Sequence, residues 1–270
     1  MTLRMSTTGR MSTTGRMSTT GRMSTTGPTS TTGAMVRRSL VALVRQPAAW
    51  LPGVALPLVI AAVFTANYHS AAALAGFPAR LSYLRYLLPA VVMIGSLYAG
   101  IAAGSFVTDD LASGFQRRLL LTPVPRALIV AGPLVAAAVQ ALAQGGLFLV
   151  VFRLAGGGWP ADVPLLLAGA ALLAVAVAGL AIAVGLRTGD NEVMQSTFGV
   201  LLIAMFASSA FFPATLMHGW FAAVATRSPL TWLADGIRDA RPVPALITPL
   251  ALAAVTLSLT ALALRRGDAR

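Results

Sequence analysis

A chain of 270 residues with 57% hydrophobic and only 10% charged side chains, at a mean hydropathy of +0.79, lies outside the balance of a water-soluble domain. Its net charge of +12 comes from 20 arginines against 8 acidic residues; there is no lysine, and the lack of cysteine excludes disulfides, iron–sulfur clusters and thiolate zinc sites. The arginines flank apolar runs and do not interleave with aromatic residues, which suits anionic lipid heads and not nucleic acid.

Residues 1–34 stand apart. The tetrapeptide STTG recurs at Ser6, Ser12, Ser18, Ser24 and Ser30, a strict six-residue period. Small polar residues with glycine bury too little surface to offset chain entropy, so a disordered segment is expected, and the lack of an apolar core makes it no secretory signal. An over-extended start or an expanded hexamer accounts for it, with the working protein beginning near Met35; a functional tail is the other reading. Residues 35–47 follow as a short amphipathic helix. Val36, Leu40, Leu43 and Val44 share one face, while Arg38 and Arg45 share the other with Ser39 and Ala42 near its edges. Its apolar face is expected in the membrane and its arginines at the headgroups, unless it is merely the positive flank of the next span. Gln46-Pro47 ends it.

Six apolar stretches are then predicted as membrane-spanning helices, at 48–66, 86–107, 127–152, 163–186, 197–214 and 243–264, and none holds an Asp, Glu, Lys, Arg or His. About 20 apolar residues suffice to cross a bilayer as a helix, and in lipid every backbone polar group must be satisfied within the protein. The fold class expected is therefore all-α integral membrane, with residues 48–266 forming the transmembrane domain and 267–270 a short tail. The arginines set the orientation. Fourteen lie before the first span, between the second and third, after the fourth, and after the sixth; the other six are Arg80, Arg85, Arg153, Arg227, Arg238 and Arg241. This bias predicts both termini in the cytoplasm of a multi-pass protein, and it survives removal of Arg4, Arg10, Arg16 and Arg22.

Between the second and third spans the chain reads TDDLASGFQRRLLLTPVPRALIVAG from Thr108 to Gly132. Thr108, Asp109 and Asp110 are expected to cap a helix N-terminus, where the dipole favours negative charge. Leu111, Phe115 and Leu119 form an apolar stripe, Arg117 points away from it, Arg118 lies close to it, and Thr122-Pro123-Val124-Pro125 stops the helix before Arg126. The result is a short helix along the inner face; taken alone, the segment equally suits an ordinary cytoplasmic loop.

These residues resemble a known family. The chain is similar to type-2 ABC exporter permeases, most closely the doxorubicin- and daunorubicin-resistance permeases of actinobacteria. Three segments carry the likeness in order. The first is Asp109, Gly114, Arg117, Leu119, Thr122, Pro123 and Arg126; the second Phe206, Ser208, Ser209, Phe212, Pro213, Met217 and Trp220; the third Pro229, Leu230, Thr231, Asp235 and Arg238. Two positions depart from the pattern: His218 stands where proline commonly follows the methionine, and Ser228 where asparagine commonly precedes Pro229. The resemblance implies a transport subunit of a bacterial cell membrane, with no catalytic residue and no bound cofactor. ATP and magnesium would sit on a separate ATP-binding subunit, and a second permease, of the same or another kind, would complete the unit. That subunit would dock under a coupling helix at 109–121 and under a loop at 190–196, where Asp109, Gly114, Arg117, Arg118, Pro123 and Arg126 are the coupling residues expected. Positive-inside anchoring is the other role open to Arg117 and Arg118. The resemblance also implies re-entrant helices before the last span, which makes Phe212, Pro213, Trp220 and Pro229 candidates for an outer gate; a plain loop with interfacial aromatics is the alternative.

Elsewhere the residues say what the chain lacks. With no lysine it holds no G-x-x-x-x-G-K-[ST] loop, and its spans offer no carboxylate, histidine or metal ligand for intramembrane chemistry or a proton relay. Asp235 and Arg238, at i and i+3, are expected to pair on the surface, where such a pair is worth little. Gln140 and Gln144, one turn apart in the third span, form the polar stripe at membrane depth, as a candidate substrate path or as glue between helices. His69 and His218 have no carboxylate near them in sequence, so no metal site is expected. The function expected is export of hydrophobic or amphipathic small molecules such as antibiotics. A permease for a lipid-linked glycan or envelope lipid, and a non-transporting structural protein, are the alternatives.

Overall fold

The computed structural model describes residues 33, 36–41, 45, 47–78, 81–113 and 126–266, and the regular structure among them is entirely helical. The longer helices are α1 (Pro47–Tyr68), α2 (Tyr83–Ala112), α3 (Arg126–Leu154), α4 (Val163–Thr188), α5 (Asn191–Phe206), α6 (Gly219–Arg227), α7 (Pro229–Arg238) and α8 (Pro242–Arg266). A helical segment at 36–41 precedes them, and 3₁₀ turns follow α1 at His69–Ala73 and precede α6 at Ala214–Leu216. The repeat at 1–32 and, of the coupling helix expected at 109–121, the part from Gly114 on lie outside the described residues.

Five apolar segments, carried by α1, α2, α3, α4 and α8, are long and apolar enough to cross a membrane. Local chemistry fixes several of their ends. Ser82 caps α2 by accepting from the Arg85 amide, Asp162 caps α4 by accepting from the Leu165 amide at 2.9 Å, and Gly189 closes α4 in the left-handed conformation at φ 64°. The predicted spans at 48–66, 127–152, 163–186 and 243–264 fall within three residues of the observed helix ends at every boundary.

Two expectations are corrected. The second helix runs on to Ala112, so Asp109 and Asp110 belong to its last turn and do not open a new helix. The fifth helix begins at Asn191, so what was expected as a loop at 190–196 is an N-cap, Asp190, followed by the first turns of α5. That helix also stops at Phe206 and not near 214, giving 16 residues, or a length of about 24 Å.

The long helices alternate in direction between two ends, named here by Asp109 and Arg238. Trp50 of α1 and Pro133 of α3 share a cavity wall with Asp109, and Tyr68 meets Tyr83 and Phe212 at the opposite end. α4 starts beside Leu233 and Ile237 and ends beside Thr108. α5 runs from Asp109 to Phe64 and Phe211, and α8 from Gly236 to Val107. The centre of the bundle is α2: 78% of its most apolar window is buried, against 17% for α1 and 22% for α8. α2 meets α4 along a seam of small residues. A β-carbon on Gly104 would lie 2.5 Å from that of Ala181, so the two backbones approach as only glycine permits. On the other side of α4, Thr260 of α8 donates to the Gly179 carbonyl at 2.7 Å, a side-chain hydrogen bond that ties the helices where no water can.

Candidate functional site

At the Asp109 end, α2 finishes with two adjacent carboxylates. The partial negative charge of a helix C-terminus disfavours them there, so each needs a partner. Arg38 donates to both oxygens of Asp110, at 2.8 and 2.7 Å, and lies 4.9 Å from the centre of the Phe106 ring. That hydrogen-bonded carboxylate holds the guanidinium above its ordinary pKa, so its charge is fixed at any physiological pH. Asn191, the first residue of α5, donates to Asp109 at 2.6 Å. The pair therefore joins three elements: the N-terminal segment, α2 and α5. Of the face expected at the headgroups, Arg38 turns onto α2, and Ser39 beside it is buried.

Directly inside this junction lies a cavity of about 540 Å³ between α1, α2, α3 and the start of α5. Trp50, Tyr98 and Phe106 supply its aromatic wall, Asp109 and Asp110 its acidic mouth, and Gln140 a buried amide. Its size falls within the range of small-molecule pockets, about 300–1,000 Å³, and its lining is mostly apolar with a few convergent polar groups. Gln144, one turn along α3, is also buried. It sits against Gly53 of α1 and Gly95 of α2, and neither its amide nitrogen nor its oxygen has a hydrogen-bond partner among the described residues. Between these two glutamines the interhelical glue expected of the stripe is missing at Gln144.

At the Arg238 end the chain leaves α5 without regular structure at 207–213, and Ser208, Ser209, Ala210, Phe211 and Pro213 are nonetheless buried. Buried irregular backbone needs donors for its carbonyls. α2 and α7 supply them. Tyr86 Oη donates to Ser209 O at 2.6 Å and Tyr83 Oη to Phe211 O at 3.3 Å. Arg238 donates to Ser209 O and to Tyr86 O, both at 3.1 Å, to Ala210 O, and to the Asp235 carboxylate at 2.7 Å, while its guanidinium lies 3.7 Å from the Tyr86 ring centre. Thr231 accepts from the Ser209 amide at 2.9 Å. The expected exposed Asp235–Arg238 pair is thus corrected: only 3% of the Arg238 side chain is exposed.

The gate candidates scatter. Phe212 packs edge-on against Tyr68 at 4.9 Å and Pro213 is buried beside it in sequence, whereas Trp220 is 78% exposed and Pro229 is the exposed first residue of α7. His218 occupies the N-cap of α6 without a capping bond, and His69 is exposed. Of the coupling candidates, Asp109 is in the junction; Gly114, Arg117, Arg118 and Pro123 lie outside the described residues, and Arg126 begins α3 with its side chain undescribed. Sequence reasoning missed Arg38, Asn191, Tyr83 and Tyr86. The tyrosines carried a faint signal, two aromatic hydroxyls at i and i+3 opening an otherwise apolar span.

Comparison with known proteins adds the class. A protein of Porphyra purpurea named as transport permease ycf38 is 28% identical over 210 residues, covering 76% of this chain and 72% of that protein. No solved structure matches. Residues 31–240, the greater part of the chain, match the family described as ABC-2 type transporter. With its all-helical body and five helices fit to cross a membrane, the chain belongs to the ABC-2 type transporter family.

Proposed function

We propose that the chain is the transmembrane subunit of an ATP-driven exporter that moves hydrophobic or amphipathic small molecules, antibiotics among them, out of a bacterial cell. The observation that carries this reading is a contrast: the family is one of transporters, yet the long apolar helices hold Asp, Glu, Arg and His side chains only near their ends. Uphill transport through such a body has no proton relay of its own, so the driving force comes from a partner. That partner is an ATP-binding subunit carrying ATP and magnesium, as the family name implies, and a second permease completes the pair.

The Asp109 end is the cytoplasmic face in this reading. The junction at Asp109, Asp110, Arg38 and Asn191 adjoins the 109–121 and 190–196 segments under which the ATP-binding subunit docks, so a push there reaches α2, α5 and the N-terminal segment together. The fifth of the six expected spans is α5, and the segment from 207 to 238 forms the outer, re-entrant part. The cavity beside the junction is where a molecule enters from the inner leaflet. Its volume suits a compact amphiphile.

The test is reconstitution in liposomes with and without an ATP-binding subunit encoded beside it, following a fluorescent amphiphile such as Hoechst 33342. Accumulation is expected only with both chains, ATP and magnesium. Uphill movement by this chain alone would sink the reading.

A further inference from the structure

The break after α5 is held by hydrogen-bonding side chains that contribute unequally. Tyr86, Tyr83 and Thr231 each contribute one hydrogen bond to residues 209–211. Arg238 alone bonds two successive carbonyls of the break, those of Ser209 and Ala210, together with the Tyr86 carbonyl of α2 and Asp235 of its own helix. A planar fork with five fixed donors makes such a set of bonds in one plane; an ammonium on a flexible stem does not. Asp235 both balances the charge and accepts from Ser209 Oγ at 3.1 Å, so the guanidinium cannot rotate without breaking contacts on both sides.

What the break carries is the outer half of an aromatic cluster. Phe211 stacks on Phe206 at 4.5 Å and meets Phe64 of α1 at 5.2 Å, and Phe212 meets Tyr68 and Tyr83 at 4.9 and 5.8 Å. These rings fill the space between α1 and α2 at this end. α1 is the least buried of the long helices, and these rings are among the contacts that hold its end against α2.

We propose that Arg238 is the positioning residue of this end: by fastening the carbonyls of Ser209 and Ala210 to α2, it seats Phe211 and Phe212 between α1 and α2 and keeps the end shut. A carbonyl released from the fork has no second donor at Ala210 among the described residues, so the turn opens locally while the seam between α2 and α4, which lies elsewhere, stays packed. The inference stands apart from the export reading, since it concerns how one end of the bundle is closed whatever passes through it.

The chain has no cysteine, which makes single thiol reporters clean. Ala210→Cys, at a residue 0% exposed, reports the break, and Ala174→Cys, also 0% exposed, reports the bundle interior. Each is placed in the full chain in nanodiscs, where both faces meet a water-soluble maleimide. With Arg238 intact both thiols are expected to react slowly. Arg238→Gln should speed the thiol at 210 by about tenfold and leave that at 174 unchanged, Arg238→Lys should fall between, and Tyr86→Phe should stay within about twofold. An unchanged rate at 210 in Arg238→Gln overturns the proposal, as does equal acceleration by Tyr86→Phe or a parallel rise at 174. Should Arg238→Gln fail to accumulate, Arg238→Lys decides in the same way, and an unchanged rate at 210 in it overturns the proposal.

Discussion

Asp110 sits in the last turn of α2, where the helix dipole opposes a carboxylate, and Arg38 makes that placement tolerable. Both side chains keep some contact with solvent, 38% of Arg38 and 15% of Asp110, so screening leaves the pair worth about 1 kcal/mol. Arg38→Ala and Asp110→Ala are each expected to lower the melting temperature of the purified chain by about 2–4 °C. Reversing the pair, Arg38→Asp with Asp110→Arg, puts a cation at the helix C-terminus, where the dipole favours it, and should restore most of the loss. A double variant no more stable than the worse single one would show that the two residues act separately. Gln144 makes the opposite case. An amide buried without partners costs about 1–3 kcal/mol, so Gln144→Met, of similar volume, should raise the melting temperature. A fall would mean that the amide is satisfied by a group outside the described residues, such as the transported molecule or a water. Neither residue was legible in full. Local sequence reads Thr108, Asp109 and Asp110 as a helix start, because the side chains that permit a helix end there arrive from positions 38 and 191.

The elements were legible where one signal sufficed. Charge-free apolar runs bounded by arginine or proline gave α1, α3, α4 and α8 to within three residues, since lipid forces such runs into helices whatever their neighbours. α5 failed at its far end because its apolar run continues to Ala214, while the helix stops after Phe206 once Tyr86 and Arg238 capture the next carbonyls. That capture depends on residues 120 positions upstream and some 30 downstream, beyond any window of local pattern. Helix packing yields a prediction of its own. Gly104 faces Ala181 so closely that Gly104→Ala must part α2 from α4, because one of the atoms met, at 2.9 Å, is backbone. Overpacking of this kind costs about 1–3 kcal/mol. Gly146 in α3 has nothing within 4 Å of its would-be β-carbon, so Gly146→Ala should be neutral or stabilising by up to about 1 kcal/mol through helix propensity. Thermal unfolding of the two purified variants separates the cases; equal losses would deny the α2–α4 seam its special closeness.

At the scale of the whole molecule, two of the six arginines counted on the outer side are not free charges. Among the arginines assigned to the outside, Arg238 is buried and neutralised by Asp235, and Arg241 pairs with Asp239 at 2.7 Å. The count itself, fourteen against six, favours the Asp109 end as the cytoplasmic one. The bias predicts that the Asp109 end faces the cytoplasm. Two exposed positions test it in a chain free of native cysteine: Glu192, at the start of α5 on the Asp109 end, and Ala161, in the connection between α3 and α4 at the opposite end. In intact cells a membrane-impermeant maleimide should label Ala161→Cys and spare Glu192→Cys, which becomes reactive only after permeabilisation. The reverse pattern would put the junction of Asp109, Asp110 and Arg38 outside the cell, out of reach of any ATP-binding partner. The acidic mouth of the cavity would then face the medium, and the chain would have to be read as taking molecules in.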